Sequence, residues 1–230
     1  MWAVVPLKRL EHAKARLANV LSIDERRALM LAMARDVLTT LSRSRSLAGI
    51  LLVSRTPEAD ALAQSFGTER FAESPTADLS GSLFQAGEYL QNQFAARGIM
   101  VVPADVPLIT PAEVDGLLAQ HDSAAPTAVT VVPDDENLGT NCLLCSPPNC
   151  IEYLFDGRSF RPHLEAAERN GITPRVAPSA GFALDIDTPQ DLRALLERGP
   201  ATQTATYLSK SGIAARLLAA DQSAADQSKS

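Results

Sequence analysis

Cysteine is scarce in this chain, and long apolar runs and the common catalytic motifs are missing. Three cysteines in 230 residues cannot form a disulfide framework. No apolar run approaches the roughly 18 residues that span a bilayer, and the short apolar start does not fit a signal peptide. The glycine-rich motifs G-x-x-x-x-G-K-[ST] and G-x-G-x-x-G, and the hydrolase motif G-x-S-x-G, are also absent. We therefore expect a cytoplasmic protein, and any nucleotide or catalytic site must be built from residues other than these common motifs.

Metal-binding thiols and imidazoles are also few. In an extended segment, the odd spacing of Cys142 and Cys145 puts them on opposite faces, and Cys150 follows without a second Cys or His pair at zinc-finger spacing. This pattern disfavours a structural zinc site. The histidines, His121 and His163 among them, are scattered, and none is expected beside the motifs described below.

Positive charge is in deficit overall but concentrated at one end. The chain carries 21 Lys and Arg against 27 Asp and Glu, a net charge of −6, which argues against a general nucleic-acid binder. The first twenty residues nevertheless carry +3, which leaves −9 for the remainder. This asymmetry indicates a local anion site rather than a basic surface.

Buried strands alternate with amphipathic helices along the chain. Helix starts are marked by the capping box of Ser22 and Glu25 and by Thr-Pro pairs. The strands are predicted at residues 3–6, 48–54, 99–102, 128–132 and 172–176, with 141–145 beside the fourth, and the Thr-Pro pairs lie at 56–57, 110–111 and 188–189. The alternation predicts an α/β fold, with a mostly parallel sheet and helices on both faces.

The chain divides into one catalytic unit and an appendage. A single core is expected for residues 1–198. Residues 199–230 are predicted to form a loosely attached helix and then a small, polar, disordered tail in which ADQS occurs twice.

Basic side chains follow the first predicted strand. Lys8, Lys14 and Arg16 lie in a predicted loop, where cations can hold a triphosphate by charge instead of by backbone N–H groups. The alternative is an ordinary solvated helix face, with long side chains lying along apolar surface.

Acidic residues recur in one pattern: an apolar stretch, an acid and a Thr-Pro helix start. Asp105 follows one such stretch, and Asp185 and Asp187 follow another. Residues two apart in an extended segment point the same way, and ligands of parallel sheets bind at the carboxyl ends of strands. Converging carboxylates without His or Cys suit Mg²⁺, which also takes phosphate ligands. Alternatively, each Asp only complements a helix dipole.

A third group of polar residues supplies uncharged donors. Gly139, Thr140 and Asn141 offer a backbone N–H, a hydroxyl and an amide at a strand start, and Ser159 precedes a helix. Such a helix start is a natural anion site. Turn chemistry and helix capping are the alternative interpretation.

Taken in order, these motifs resemble the phospholactate guanylyltransferase family. The resemblance rests on Pro6-x-Lys8 with Ala13-Lys14-x-Arg16-Leu17, on D-x-P-L at 105–108, on G-T-N at 139–141 and on D-x-D-T-P-x-D-L at 185–192. It implies a single-domain, Rossmann-like nucleotidyltransferase of the nucleotide-diphospho-sugar transferase type. It also implies a guanylyltransferase that joins GMP from GTP to a three-carbon phospho-acid in coenzyme F(420) biosynthesis.

The resemblance also implies roles for individual residues. The catalytic cations are Lys8, Lys14 and Arg16, which hold the triphosphate of GTP. The rest of the nucleotide site is Pro6, Ser80, Gly81 and Ser82; the Mg²⁺ site is Asp105, Asp185 and Asp187; and the phospho-acid site is Gly139, Thr140, Asn141, Gly157 and Ser159.

Departures from the family pattern leave the acceptor open. Where the family has Gly-Pro-Gly-Ser-Phe, this chain has Asp-Gly-Arg-Ser-Phe at 156–160, and it has Ser80-Gly81 where Asn is frequent. The acceptor could be 2-phospholactate, phosphoenolpyruvate or 3-phosphoglycerate. GTP and this phospho-acid are the expected partners, without nucleic acid or membrane. A homodimer, and transfer of an unstable product to the next enzyme of the pathway, stay open.

Two other functions compete with this interpretation. The first is a nucleotidyltransferase for another acceptor, such as a molybdopterin or a sugar phosphate. The second is a catalytically silent nucleotide-binding regulator, which is expected to have lost a carboxylate or a loop cation. All three aspartates and the loop cations are present here.

Overall fold

One sheet organises the part of the chain that the structure describes. A computed structural model describes residues 1–7, 14–74, 76–121, 125–198 and 201–219. Lys8 and the repeated ADQS tail lie outside the described residues. No helix among the described residues is long and apolar enough to cross a membrane.

Seven described strands form the sheet in the order β3-β2-β1-β4-β6-β5-β7. The strand predicted at 172–176 is reduced to two exposed residues. Residues 181–184 form no strand, although the apolar pattern before Asp185 suggested an extended one. The strands are β1 (Trp2–Pro6), β2 (Gly49–Ser54), β3 (Glu69–Ala72), β4 (Ile99–Val101), β5 (Ala128–Pro133), β6 (Thr140–Ser146) and β7 (Arg175–Val176).

Helices begin largely where capping signals predict them. Capping boxes form at Ser22, Thr110 and Thr188, because each hydroxyl accepts a backbone N–H three residues on and an acid reciprocates. Thr56 was expected to cap as well, but its hydroxyl pairs with that of Ser54 instead. Residues 213–219 are helical as well, and the helices named here are α1 (Ile23–Ser42), α2 (Glu58–Phe66), α3 (Leu79–Phe94), α4 (Pro111–Gln120), α5 (Phe160–Arg169), α6 (Pro189–Glu197) and α7 (Gln203–Lys210).

Helices cover both faces of the sheet, as predicted. Successive strand residues alternate between the two layers: Val5 and Leu52 pack with α1, α4 and α6, whereas Val4 and Leu51 pack with α3 and α5. Strands buried on both faces read as continuous apolar runs, which is why the sequence revealed them. The predicted α/β class with a mostly parallel sheet is confirmed.

Strand β6 runs against its neighbours and thereby positions a motif. It is antiparallel to both β4 and β5, and Thr140 at its start faces Pro133 at the end of β5. Its first residues therefore lie at the sheet edge where β4 and β5 finish. Residues 139–141 therefore lie at the start of a strand, and because β6 is antiparallel this start is at the side of the sheet where ligands bind in α/β folds.

The helix after residue 200 packs firmly on α1. Asp36 of α1 accepts the backbone N–H groups of Gln203 and Thr204, both at 2.8 Å. Leu208, and farther on Leu217, are buried in the layer that α1 also lines. The loose attachment expected from the sequence is therefore wrong for this segment. The boundary at residue 198 stays a prediction.

Candidate active site

A cavity of about 1060 Å³ opens at the edge where β1, β4 and β5 end and β6 begins. Its size is at the upper end of the range for ligand pockets, which leaves room for two small molecules. Most of the site residues predicted from the sequence line it. They are Pro6, Lys14, Arg16, Asp105, Gly139, Thr140, Asn141, Gly157, Ser159, Asp185 and Asp187.

Lys14 lies between two of the predicted metal ligands. Its Nζ is 2.6 Å from Asp105 Oδ2 and 2.6 Å from Asp187 Oδ1, and its side chain is only 5% exposed. Burial by itself lowers the pKa of Lys14, but attraction to the two carboxylates outweighs this and raises the pKa above its ordinary value. The ammonium is therefore a permanent counter-charge within the acidic cluster.

Arg16 stands at the mouth of the same cluster. Its Nη1 is 4.0 Å from Asp187 Oδ2, and 76% of its side chain is exposed. A contact of this length and exposure fixes the guanidinium weakly. Arg16 is thus free to turn towards an anion, as its predicted role requires, whereas Lys14 is already paired.

The segment from 182 to 187 brings two carboxylates to Asp105 without forming a strand. Phe182, Leu184 and Ile186 are buried, and Asp185 and Asp187, which alternate with the last two of them, line the cavity. The backbone N–H of Ile186 donates to the carbonyl of Asp105 at 3.0 Å, which joins the segment to the loop after β4. The expected same-side projection of the two acids therefore arises from burial alternation.

Asp185 lies deeper in the cluster than Asp187. Burial, and then the charge of Asp105, raise the pKa of Asp185 to about 6, although a hydrogen bond from Asn141 opposes the shift. Asn141 Nδ2 lies 3.2 Å from Asp185 Oδ1 and 2.8 Å from the Phe182 carbonyl. Asn141 thus connects the acidic cluster to the start of β6.

The predicted Mg²⁺ ligands do not form a closed metal cage. Within the described ranges, no three His, Cys, Asp or Glu side chains are arranged to hold a metal ion. Mg²⁺ in nucleotide sites is commonly held by one or two carboxylates and completed by phosphates and water. The hard oxygen donors of Asp105, Asp185 and Asp187 fit that pattern, with Lys14 now beside the oxygens that a metal would use.

A buried histidine that was not singled out from the sequence supports the other end of the cavity. Thr140 Oγ1 is 2.9 Å from His163 Nδ1, and the Thr140 backbone N–H donates to Ser159 Oγ at 3.0 Å. The expectation that no histidine lies beside a motif is therefore wrong. His163 is on α5, one turn after Ser159, so the spacing S-x-x-x-H was the available signal.

Asp134 shapes the turn that precedes Thr140. Its carboxylate accepts the backbone N–H groups of Leu138 and Gly139, at 2.8 and 2.7 Å. A Cβ on Gly139 would lie 2.8 Å from Asp134 Oδ2, so any larger residue here would have to displace the Asp134 carboxylate. The role of Gly139 in this structure is thus to form the turn. Sequence reasoning missed Asp134 and the acids that follow it, which also line the cavity.

The predicted nucleotide turn at the start of α3 is the part that the structure does not bring into the cavity. Of residues 79–82, all described, only Leu79 lines it. Ser80 donates to the Tyr153 carbonyl, Ser82 donates to Glu73 at 2.6 Å, and the Gly81 N–H is capped by Asp78. Protein partners thus already occupy these polar groups. Lys8 lies outside the described residues.

Comparisons with known proteins agree with this architecture. The family model described as "Guanylyl transferase CofC like" matches residues 1–226. The chain is 33% identical over 214 residues to a phosphoenolpyruvate guanylyltransferase from Conexibacter woesei, covering 91% of this chain and 95% of that protein. It is also 33% identical over 208 residues to a 2-phospho-L-lactate guanylyltransferase from Methanothermobacter thermautotrophicus, covering 90% and 89%.

A solved structure shares the fold. A crystal structure from Desulfovibrio desulfuricans, named for the nucleotide-diphospho-sugar transferases, superposes with a TM-score of 0.71 at 18% identity, covering 94% of this chain and 97% of that one. The predicted fold type is thereby confirmed, and the match to the family model confirms the resemblance seen in the motifs. The chain belongs to the CofC-like guanylyl transferase family.

Proposed function

We propose that this protein transfers GMP from GTP to a three-carbon phospho-acid, releasing pyrophosphate, as a step in the biosynthesis of coenzyme F(420). Membership of the guanylyl transferase family supports the reaction type. Relatives named for phosphoenolpyruvate and for 2-phospho-L-lactate support the acceptor class. The acceptors we consider are these two and 3-phosphoglycerate.

One observation carries the proposal: a single cavity contains a cationic end, a group of carboxylates and a hydroxyl end. Lys14 bridges Asp105 and Asp187 at the first end, Asn141 donates to Asp185, and the preceding residue, Thr140, donates its backbone N–H to Ser159 at the second end. Such an arrangement suits two phosphorylated ligands whose reacting groups meet beside the carboxylates. We assign the nucleotide triphosphate to the cationic end and the phospho-acid to the hydroxyl end.

We propose Mg²⁺ as the metal that completes the site, held by Asp105, Asp185 and Asp187 together with ligand phosphates. When bound, it would offset the charge of the phosphates that must approach one another. Lys14 would then shift from its bridge between the carboxylates towards the triphosphate, adding a cation where negative charge develops on pyrophosphate. Arg16, already exposed at the mouth, would reach the same group.

The reaction needs no general base. The second pKa of a phosphate monoester is about 6, so the acceptor is mostly ionised at neutral pH and its oxygen can attack the α-phosphorus directly. Both ring nitrogens of His163 are bonded within the protein, which agrees with a reaction that uses no histidine base. The remaining difficulty is electrostatic, and the cationic end of the cavity addresses it.

The test is a panel of nucleotides and acceptors scored by pyrophosphate release. GTP, ATP, CTP and UTP are each combined with 2-phospholactate, phosphoenolpyruvate and 3-phosphoglycerate, with and without Mg²⁺. We expect Mg²⁺-dependent turnover with GTP and at least one phospho-acid. Turnover only with a molybdopterin or a sugar phosphate, included as further acceptors, would replace the proposal with another nucleotidyltransferase. GTP binding without any turnover would favour a silent regulator.

A further inference from the structure

His163 makes two hydrogen bonds that together determine where its proton lies. It is fully buried on α5. Its Nε2 is 2.9 Å from the backbone nitrogen of Leu154, and its Nδ1 is 2.9 Å from Thr140 Oγ1. A backbone N–H can only donate, so Nε2 must be the unprotonated acceptor. In a neutral ring the hydrogen is then on Nδ1 and is donated to the Thr140 hydroxyl oxygen.

The surroundings keep this ring neutral. Burial lowers the pKa of His163 to about 4, against the opposing charge of Asp156. The ring of Phe155 packs edge-on against it, with centroids 4.9 Å apart. The tautomer with hydrogen on Nδ1 is therefore maintained throughout the neutral range.

The same bonds leave two hydroxyl hydrogens for a ligand. The Thr140 oxygen accepts from His163, so its own hydrogen must be donated elsewhere, and Ser159 Oγ accepts from the Thr140 backbone N–H and keeps its hydrogen likewise. Among the described residues, no protein acceptor takes either hydrogen. Thr140 is 4% exposed and Ser159 is 2% exposed, and both line the cavity.

We propose that His163 is a positioning residue that fixes the Thr140 hydroxyl as a donor into the cavity, so that Thr140 and Ser159 together bind two oxygens of one anionic group of the acceptor. This inference rests on the proposed function, since it names the recognition device of the phospho-acid. The group bound is a carboxylate or a phosphate. The first turn of α5 contains no acid, so the helix start adds favourable potential for an anion.

The orientation excludes some ligands as well as accepting others. A site with two donors directed into the cavity binds a ligand oxygen that accepts hydrogen bonds. A ligand hydroxyl that must donate at this position would meet another donor and could not form the bond. An uncharged analogue, in which an ester or amide replaces the carboxylate, loses charge-assisted bonding. Discrimination against such analogues is therefore expected to depend on His163.

Two substitutions of His163 separate its two bonds. In His163→Asn, the amide nitrogen can replace Nδ1 as donor to Thr140, while the acceptor for Leu154 is lost. In His163→Gln, the amide oxygen can replace Nε2 for Leu154, while the donor to Thr140 is lost. We expect His163→Gln to raise the acceptor KM about tenfold, as for loss of one oriented bond to a charged group. The KM for GTP should stay unchanged, and His163→Asn should restore most of the acceptor KM.

A double-mutant cycle tests whether His163 acts through Thr140. Thr140→Val removes the hydroxyl at similar volume and should raise the acceptor KM by about tenfold or more. Adding His163→Gln to Thr140→Val should then change KM little, because the hydroxyl to be oriented is gone. Additive effects of the two substitutions, or an unchanged acceptor KM in His163→Gln, would overturn the proposal.

His121 provides the matched control. It is also buried and also bonded through both ring nitrogens, to the hydroxyls of Thr130 and Ser146, each at 2.9 Å. Neither hydroxyl lines the cavity. His121→Gln should lower the melting temperature as His163→Gln does, yet leave the acceptor KM unchanged. An equal rise in KM for both variants would show a general packing effect and overturn the assignment.

Two measurements keep this inference separable from the proposed reaction. NMR of ring-labelled histidine reports the tautomer directly, and a His163 ring with hydrogen on Nε2 would overturn the proposal whatever the protein catalyses. Calorimetric titration with phosphoenolpyruvate tests the subsite without turnover, and binding should weaken in His163→Gln and Thr140→Val. Absence of turnover with normal phosphoenolpyruvate binding refutes only the reaction. If none of the three phospho-acids binds in the calorimetric titration, the proposed subsite is refuted.

Discussion

Replacing Lys14 with methionine removes the ammonium that two carboxylates share while it keeps the side chain long. In the native protein, Nζ lies 2.6 Å from an oxygen of Asp105 and 2.6 Å from one of Asp187. At an effective dielectric constant near 20, each contact amounts to about 6 kcal/mol of gross Coulomb energy. Desolvation of the buried ammonium offsets much of that attraction, so the gross figure is an upper bound.

The net loss of stability depends on the carboxylate charges that remain after the ammonium is removed. Removing one member of a buried pair generally costs about 3–5 kcal/mol, because a charge remains without its partner. Here Asp105 is 24% exposed and Asp187 is 43% exposed, so water screens the remaining charges. We therefore expect Lys14→Met to lose about 2–3 kcal/mol. In a chain of this size that corresponds to a fall of roughly 4–12 °C in melting temperature.

Magnesium should reverse the effect in the variant. Without the ammonium, Asp105 and Asp187 should attract a divalent cation more strongly, whereas in the native protein the cation must compete with Lys14. At a concentration of Mg²⁺ 100 times its Kd, binding would restore about 2.7 kcal/mol. Thermal unfolding is measured with Mg²⁺ and with chelator, without nucleotide, for both proteins. We expect a larger Mg²⁺-dependent rise in Lys14→Met than in the native protein.

Arg16→Met is the matched control. Its longer contact to Asp187 and its exposure predict a loss below about 1 kcal/mol. The native protein and both variants are also compared in the pyrophosphate assay, where Lys14→Met should chiefly reduce kcat/KM for GTP. The reasoning is refuted if Lys14→Met melts like the native protein, or if Mg²⁺ affects both variants equally.

Three further outcomes follow from the structure. Asp105→Asn should abolish most Mg²⁺-dependent turnover and keep the circular dichroism of the folded protein; near-normal turnover would contradict the metal assignment. For Glu113, burial opposes ionisation, but hydrogen bonds led by that from the Gly181 N–H lower its pKa below 4.5. The ionised Glu113 carboxylate contributes fully to stability above pH 4.5, and this contribution is lost as the pH falls through the lowered pKa. Glu113→Gln should therefore destabilise the protein more at neutral pH than in acid. An equal loss of stability at both pH values would contradict this role of Glu113. Gly181→Ala would press a Cβ against Glu113 and place it 2.8 Å from the Leu108 carbonyl oxygen, which predicts a loss of about 2–4 kcal/mol and slower turnover. The control is Gly116→Ala, in open space on α4, which should gain up to about 1 kcal/mol. Equal melting temperatures of the two variants would contradict the steric argument.

The fold was accessible from sequence because its signals are local. The caps at Ser22, Thr110 and Thr188 each depend on residues three apart, and the central strands read as apolar runs because both their faces are covered. The segment from 182 to 187 misled only in part. The spacing predicted correctly that Asp185 and Asp187 point to the same site, but an alternation of buried and cavity-lining residues does not require the hydrogen bonds of a sheet.

The pairings within the site were not accessible in the same way. Lys14 meets partners 91 and 173 residues away, and nothing near Lys14 in the sequence distinguishes a cation that is paired with carboxylates from one that awaits phosphate. His163 was missed because it meets Thr140 only through the packing of α5 near the start of β6. Conversely, the family resemblance assigned Ser80 and Ser82 to the nucleotide site, but their hydroxyls are bonded to other parts of the protein.

Local charge, rather than the net charge of −6, governs which ligands this cavity can take. Two of its carboxylates share the ammonium of Lys14, and the surroundings of Asp185 disfavour its ionised form. At the opposite end, Thr140 and Ser159 offer hydroxyls that carry no charge to compensate. The cavity therefore repels a polyanionic ligand less strongly than its number of acids suggests, provided that Lys14 stays protonated. The acidic total argues against binding a polymer of phosphates over the surface, and it does not argue against binding two small phosphorylated molecules at one edge of the sheet.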